Sequence, residues 1–138
     1  MTAGEIAVNL AEKDIIPVGN SRATWLEIKN DTDDQIQIQV SGVSNGDWDG
    51  DSRPDHKFQD SVIQRHSSKK ERQELNSKND SAWSTMTVFC DGKEQFAMRV
   101  NQWWVGGGLP EDTDYTNGYH VRASVPEPNE LVLSITKK

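Results

Sequence analysis

Apolar and polar residues alternate in short runs along most of this chain, and turn-forming residues separate the runs. A period of two places every second side chain on the same face of a β-strand, so each run predicts a strand with one buried face. No apolar repeat of the α-helical period extends over ten residues. The pattern therefore predicts an all-β fold, and more closely a single-domain antiparallel β-sandwich.

Turn chemistry between the runs predicts two β-hairpins in the first part of the chain. Residues 24–29 and 35–42 flank an acidic Asn/Asp-rich turn, which predicts the first hairpin. Residues 83–90 and 94–101 flank Asp91-Gly92, a dipeptide that tolerates the positive φ of a tight turn. The second hairpin leads directly into Trp103 and Trp104.

A third hairpin is predicted where residues 118–125 and 131–136 flank the turn sequence PEPNE. EIAVNL and DIIPV near the start of the sequence, SVIQRH and ERQELN are weaker strand candidates, and ERQELN fits a helical turn equally well. The residues that the alternation places toward the core are Leu26, Ile28, Ile36, Ile38, Val40, Tyr119, Val121, Ala123, Val125, Leu131, Leu133 and Ile135.

The 138 residues fit one domain spanning residues 1–138, in which residues 1–20 form either an N-terminal arm or an extra strand. A net charge of −7 argues against nucleic-acid binding and against attraction to anionic bilayers, and favours a neutral or zwitterionic partner. Cys90 is the single cysteine, which excludes an internal disulfide and a CxxC zinc site. The first residues lack the basic and apolar regions of a signal peptide, which predicts a cytoplasmic inclusion or a non-classically released protein.

Tryptophan accounts for five of the ten aromatic residues, and two of these tryptophans are adjacent. Trp103 and Trp104 precede Gly106-Gly107-Gly108, where two neighbouring indoles are hard to bury together. Indoles favour boundaries between wet and apolar surroundings, so the pair predicts a ligand-binding surface. The alternative is that Trp103 points into the sandwich core and Trp104 covers the strand end.

Four aspartates at close spacing form the candidate metal site of the sequence. Asp47, Asp49, Asp51 and Asp55 surround Trp48 and Gly50, and their oxygens could converge on a calcium ion. The loop lacks the glutamate that completes an EF-hand, because Phe58 stands at that position. A solvated acidic turn is the alternative interpretation.

No sequence motif predicts a catalytic site. His56, His66 and His120 are far apart in the sequence, and neither a G-x-S-x-G elbow nor an H-E-x-x-H pattern occurs. We therefore expect a protein without enzymatic activity. The basic residues between Arg65 and Lys78 are interrupted by acidic ones, which favours a solvated face over a docking patch.

With these elements in place, the chain resembles the aegerolysins, a family that includes the small aegerolysin-like component of binary insecticidal proteins. The similarity runs from Trp25 to Lys138 in the order and spacing of elements. Asp49-Gly50-Asp51 is similar to the family's D-G-D stretch, and Trp104 matches its last loop tryptophan. The family's cysteine-glycine and cysteine-proline motifs are missing, and the first twenty or so residues have no counterpart.

The resemblance implies a β-sandwich that recognises a membrane lipid head group, usually of a zwitterionic sphingolipid, and that needs a larger partner protein to form pores. Trp103 and Trp104 would then be the main contacts, with Trp48 and Asp51 as secondary ones. Two other functions fit the same residues. One is a carbohydrate-binding sandwich whose acidic loop holds calcium near the stacking indoles, and the other is a structural or partner-binding module with buried tryptophans.

Overall fold

The computed structural model describes residues 12–15, 25–44, 48, 52–73, 82–101, 112–127 and 130–138. Most of these residues belong to strands, which form two packed five-stranded sheets. The all-β sandwich predicted from the alternation is confirmed. In chain order the strands are β1 (Glu12–Ile15), β2 (Trp25–Asn30), β3 (Ile36–Val43), β4 (Ser61–Ile63), β5 (Ser67–Arg72), β6 (Trp83–Cys90), β7 (Lys93–Asn101), β8 (Asp112–Asp114), β9 (Tyr119–Glu127) and β10 (Glu130–Lys137).

The first sheet has the strand order β1-β7-β6-β3-β4, and the second has the order β5-β2-β10-β9-β8. Helical structure in the described parts of the chain consists of helix α1 (Pro54–Phe58) and a short 3-10 helix (Thr116–Gly118). Pro54 stands at the first turn of α1, where its missing N–H costs no helical hydrogen bond, and Phe58 at its end is fully buried. The helix thereby anchors the connection between β3 and β4 to the core.

The core lies between the sheets and consists of the alternate residues that the sequence pattern selects. Leu26, Ile28, Ile36 and Ile38 are at most 1% exposed. The other predicted core positions are buried as well, except that Val40 and Val125 are only partly buried against the same cluster. The inward-facing side chains of both sheets thus form one apolar cluster, completed by Met86, Val88, Phe96, Met98 and Val100 of the β6–β7 hairpin.

Two of the three predicted hairpins are present. β6 and β7 pair antiparallel across Asp91 and Gly92, whose φ angles of 51° and 73° are both positive. Two successive positive φ angles are those of a type I′ turn, which matches the twist of a two-stranded ribbon. β9 and β10 also pair antiparallel, as predicted for the last two runs.

The predicted hairpin between residues 24–29 and 35–42 is wrong. β2 and β3 are strands as expected, but β2 belongs to the second sheet and β3 to the first. The connection between them crosses from one sheet to the other around Asn30. The buried Asn30 side chain donates to the backbone carbonyls of Asp34 at 2.7 Å and of Ile63 at 3.0 Å, and so joins the turn to the end of β4.

The sandwich also contains two parallel strand pairs that the predicted antiparallel pattern did not include. β2 pairs in parallel with β10, and β1 pairs in parallel with β7. Within residues 1–20, the structure describes this edge strand β1 alone. Among the weaker strand candidates, residues of SVIQRH form β4, and Glu71 and Arg72 of ERQELN end strand β5 instead of beginning a helical turn.

Candidate functional site

Three strands of the first sheet meet at one end, where β3 ends, β6 begins and β7 ends. Trp83 pairs with Asn101 of β7, and the next residue of β6 pairs with Val43. Ser44 secures this end, because its N–H donates to the Trp83 carbonyl at 2.9 Å and its hydroxyl accepts from the Trp83 N–H at 3.0 Å. We call this end, defined by Val43, Trp48, Trp83 and Asn101, the tryptophan end.

Trp83 is half-buried at the tryptophan end and lies on the outer face of the sheet. The guanidinium carbon of Arg99 lies 4.0 Å from the centroid of the Trp83 ring. A Cβ added to Gly42 would lie 3.6 Å from the Trp83 ring, so the indole lies close to the β3 backbone. The ring is therefore held between a cation and a neighbouring strand, an arrangement that fixes its orientation.

Trp48 packs on the same end of the sheet. It is 6% exposed and forms a small apolar cluster with Ala82 and the partly buried Val43. This cluster is separate from the core between the sheets. In this conformation the indole predicted as a secondary ligand contact is covered by its neighbours.

The main predicted contacts, Trp103 and Trp104, lie outside the described residues. The described part of β7 ends at Asn101, which is buried and pairs with Trp83. In the sequence, Trp103 and Trp104 follow two and three positions after Asn101. The hairpin predicted to lead to them is therefore present, and their role as contacts stays a prediction.

The calcium site predicted in the acidic loop also falls largely outside the described residues, because Asp47, Asp49 and Asp51 are not among them. Asp55 is described, and its Oδ1 lies 2.8 Å from Nε of Arg53. A calcium ion would compete with this guanidinium for the same carboxylate oxygen. In the described stretches, no group of three or more His, Cys, Asp and Glu side chains is arranged to hold a metal ion.

One exposed indole lies on the second sheet, and the sequence did not identify it as a candidate contact. Trp25 lies on the outer face of the second sheet and is 38% exposed. The Lys70 ammonium lies 5.3 Å from its ring centroid and 3.0 Å from Oε1 of Glu130. Period-two alternation places Trp25 on the face of β2 that is opposite to the core residues Leu26 and Ile28. This alternation is the one sequence signal for the exposure of Trp25.

Lysines of the basic stretch also contact the protein itself. Lys69 is in register with Ile28 on the inner side of the edge strand β5, and its Nζ donates to the Ser61 hydroxyl at 2.7 Å. The same ammonium lies 5.8 Å from the centroid of the Phe58 ring. A charged side chain that points inward protects a sheet edge against pairing with another chain. These contacts favour a structural role over the docking patch.

The three histidines lie at separate places in the fold. His66 Nε2 lies 2.8 Å from Asp33 Oδ1, and His120 Nδ1 lies 2.7 Å from Asp114 Oδ1. The hydrogen bond with His120, together with the Lys138 ammonium, lowers the pKa of the Asp114 carboxyl below its ordinary value. His56 is near Asp55 on helix α1.

The described residues form an all-β sandwich in which Trp48 and Trp83 lie at one end of the first sheet. No protein-family model matches the sequence, and no curated protein sequence matches it. Among solved structures, the fold is similar to that of IP-1A from Alcaligenes faecalis, with 13% sequence identity and a TM-score of 0.49. The match covers 86% of this chain and 94% of that chain. No helix in the described parts of the chain is long and apolar enough to cross a membrane.

Proposed function

We propose that the protein is a non-enzymatic membrane-binding protein whose tryptophan end recognises zwitterionic lipid head groups. The observation that carries this proposal is the position of Trp48 and Trp83 at the end of the sheet where the described part of β7 ends, shortly before Trp103 and Trp104 in the sequence. The latter two indoles are the proposed lipid contacts, with Asp51 and Trp48 as secondary ones. Trp48 can touch a lipid directly only when the residues that cover it move aside.

Indole chemistry supports this choice of ligand. Tryptophan is enriched at the level of lipid head groups, because its ring is largely apolar and its N–H remains a hydrogen-bond donor. A choline group is attracted to the face of an indole by a cation–π interaction, and a nearby carboxylate strengthens that attraction. The residue types at positions 48, 51, 103 and 104 supply both groups.

Charge supports a zwitterionic lipid over an anionic one. The chain carries a net charge of −7, so anionic bilayers would repel it. At the tryptophan end, Arg99 nevertheless places a guanidinium beside Trp83. A guanidinium suits the phosphate of a phosphocholine head group, while the indoles suit its choline.

The proposal includes a second, larger protein that forms the pore, as in two-component cytolytic or insecticidal toxins. In the described parts of the chain, most apolar side chains are buried in the core between the sheets. A protein built in this way can attach to a bilayer and still require a partner to cross it. We therefore expect it to bind vesicles without making them leak.

Vesicle sedimentation tests the proposal. We expect the protein to sediment with vesicles of sphingomyelin and cholesterol, and only weakly with phosphatidylserine vesicles. Trp103→Ala with Trp104→Ala should abolish sedimentation, whereas Trp25→Ala, on the other sheet, should leave it unchanged. Absence of sedimentation with every zwitterionic vesicle, or full binding by the double variant, would contradict lipid recognition.

Two additional measurements separate the components of the proposal. Calcein-loaded vesicles should retain their dye when the protein binds alone, and dye release by the protein alone would contradict the two-component mechanism. Binding should also persist in chelator. Loss of binding on chelation, together with binding to a glycan array, would instead favour the calcium-assisted carbohydrate-binding alternative.

A further inference from the structure

The opposite end of the first sheet carries a polar pocket that is independent of the tryptophan end. It lies between the start of β3 and the β6–β7 turn, has a volume of about 240 Å³, and is lined by Gln35, Ile36, Gln37, Phe89, Asp91 and Gly92. Phe89 stands six positions after Trp83 on β6, which corresponds to roughly 20 Å along the strand. We propose that this pocket binds a single neutral sugar ring.

Phe89 supplies the stacking surface of the proposed site. It lies on the outer face of the sheet, is partly exposed, and pairs directly with Gln37 on β3. Directly paired residues have their Cβ atoms about 5 Å apart, so the ring and the amide share one side of the pocket. An aromatic face beside amides is suited to a sugar, which presents both C–H groups and hydroxyls.

Gln35, Gln37 and Asp91 supply the polar groups. The structure assigns no hydrogen bond to any of their side chains within the described residues. Gln39, two positions further along the same face, differs in this respect because its Nε2 donates to Asp60 at 2.6 Å and its Oε1 accepts from Gln59 at 2.7 Å. The pocket amides can therefore both donate to and accept from a ligand.

Turn geometry keeps the pocket open and well defined. Asp91 and Gly92 occupy the central positions of the type I′ turn, with φ angles of 51° and 73°. Apart from Gly92 and its two chain neighbours, no residue has a heavy atom within 4 Å of the place where a Cβ of Gly92 would stand, so a ligand can approach the turn backbone. A site built on a tight hairpin needs little reordering when it binds.

Charge and size select the class of ligand. Burial, followed by the negative charges of the nearby Asp34 and of Asp91, raises the pKa of the Cys90 thiol, and the Lys137 ammonium opposes this shift. Two carboxylates at this end disfavour phosphates and acidic sugars. Pockets for drug-sized ligands measure about 300–1,000 Å³, so a pocket of about 240 Å³ suits one small ring. A neutral hexose, which is rich in hydroxyls, meets these requirements.

Titration by NMR tests this inference without any membrane, so its outcome does not depend on that of the vesicle experiments. The ¹⁵N-labelled protein is titrated with the methyl glycosides of glucose, galactose, mannose, N-acetylglucosamine and N-acetylgalactosamine. We expect saturable shifts of the Gln35 and Gln37 side-chain amides and of the Gly92 amide, with a Kd in the millimolar range. N-acetylneuraminic acid should not produce these shifts.

Variants with intact turns provide the controls. Gln37→Ala should weaken binding about tenfold, the effect of losing one good hydrogen bond, and Asp91→Asn should weaken it less, because its amide oxygen still accepts but lacks the charge of the carboxylate. Asparagine tolerates a positive φ, so Asp91→Asn should preserve the hairpin. Thr87 lies on β6 on the same outer face as Phe89 but outside the pocket, so Thr87→Ala should bind the glycoside as the parent protein does. Absence of saturable shifts, shifts confined to other surfaces, or unchanged binding by both pocket variants would overturn the proposal.

The sugar could belong to a glycolipid or to a glycoprotein, and competition distinguishes these sources. Vesicles of phosphatidylcholine containing glucosylceramide, compared with the same vesicles lacking glucosylceramide, and a soluble glycoprotein freed of sialic acid are each added to the complex with the best glycoside. Displacement by one of them identifies the source and supports the site. Displacement by neither would mean that the pocket does not accept a sugar attached to a larger molecule, and would overturn the assignment.

Discussion

The guanidinium of Arg99 lies above the indole of Trp83, with 4.0 Å between the guanidinium carbon and the ring centroid. The two residues are diagonal neighbours on β7 and β6, because Arg99 pairs with Thr85 and Trp83 pairs with Asn101. This contact fixes the one described indole that lies on the outer face at the tryptophan end. It therefore links the stability of the sheet end to the proposed lipid-binding surface.

Removing the cation should loosen this indole. Arg99→Gln is expected to lower the free energy of unfolding by about 0.5–1 kcal/mol, the usual value of a partly exposed cation–π contact. The indole N–H resonance of Trp83 should shift in the same variant, whereas Lys93→Gln at the other end of β7 should leave both quantities unchanged. Urea denaturation and NMR measure these effects. An Arg99→Gln variant as stable as the parent would show that the contact contributes nothing.

Asn30 should be among the most sensitive polar residues. It is fully buried, donates to the backbone carbonyls of Asp34, Ile63 and Gln64, and accepts from the Thr32 hydroxyl at 2.6 Å. Asn30→Ala removes these buried hydrogen bonds and should cost about 2–4 kcal/mol in urea denaturation. Ser68→Ala on the exposed side of β5 is the control, and a similar small loss in both variants would contradict the role of Asn30.

The β6–β7 turn should tolerate one substitution and resist another. Gly92→Ala should lower the free energy of unfolding by about 1–2 kcal/mol, because its φ of 73° strains a residue with a Cβ. The space around Gly92 is open, so this cost is conformational and not steric contact with other residues. Asp91→Asn should be nearly neutral. Equal stability of the two variants in thermal denaturation would argue against the type I′ geometry.

Tyr119 should make stability fall at alkaline pH. Burial, followed by the negative charges of Cys90 and Asp34, raises the pKa of the Tyr119 phenol from 10.0 to about 12. Because the pKa of Tyr119 is higher in the folded state than in the unfolded state, the phenol contributes to the free energy of unfolding. This contribution is fully present below pH 10.0 and is lost as the pH rises toward about 12. Chemical denaturation across this range measures the decline, and Tyr119→Phe should reduce it. An equally steep decline in Tyr119→Phe would assign it to other groups.

Local sequence was sufficient where one strand and one turn decide the structure. Alternation selected the buried faces of β2, β3, β9 and β10, and Asp91-Gly92 identified the turn of the β6–β7 hairpin. In each case the determining interactions are between residues close in sequence. Such patterns therefore predict elements and hairpins well.

The arrangement of strands in the two sheets depends on residues far apart in sequence. An acidic turn after Asn30 is compatible with a hairpin or with a crossing between sheets, and contacts from Asn30 to Ile63 and Asp34 accompany the crossing. The charged strand β5 has no apolar alternation, and its position follows from its register with β2. Neither the crossing after Asn30 nor the position of β5 can be predicted from the neighbouring sequence.

The candidate sites likewise divide into those with a local sequence signal and those formed by residues far apart in sequence. Indole content and the acidic loop were visible in the sequence, but the sugar pocket was not, because Gln37 and Phe89 become neighbours only through the pairing of β3 with β6. Trp25 likewise gains its cation from Lys70 on β5. Sites formed across strands require the register before they can be recognised.

The parallel pairing of β2 with β10 has a consequence for synthesis on the ribosome. β10 is the middle strand of its sheet, and β2 and β9 both depend on it for hydrogen-bonded partners. Most of the chain separates β2 from β10, so β2 emerges long before its central partner is made. Contacts of such high sequence separation slow folding, and the nascent β2 edge needs protection from other chains during that interval.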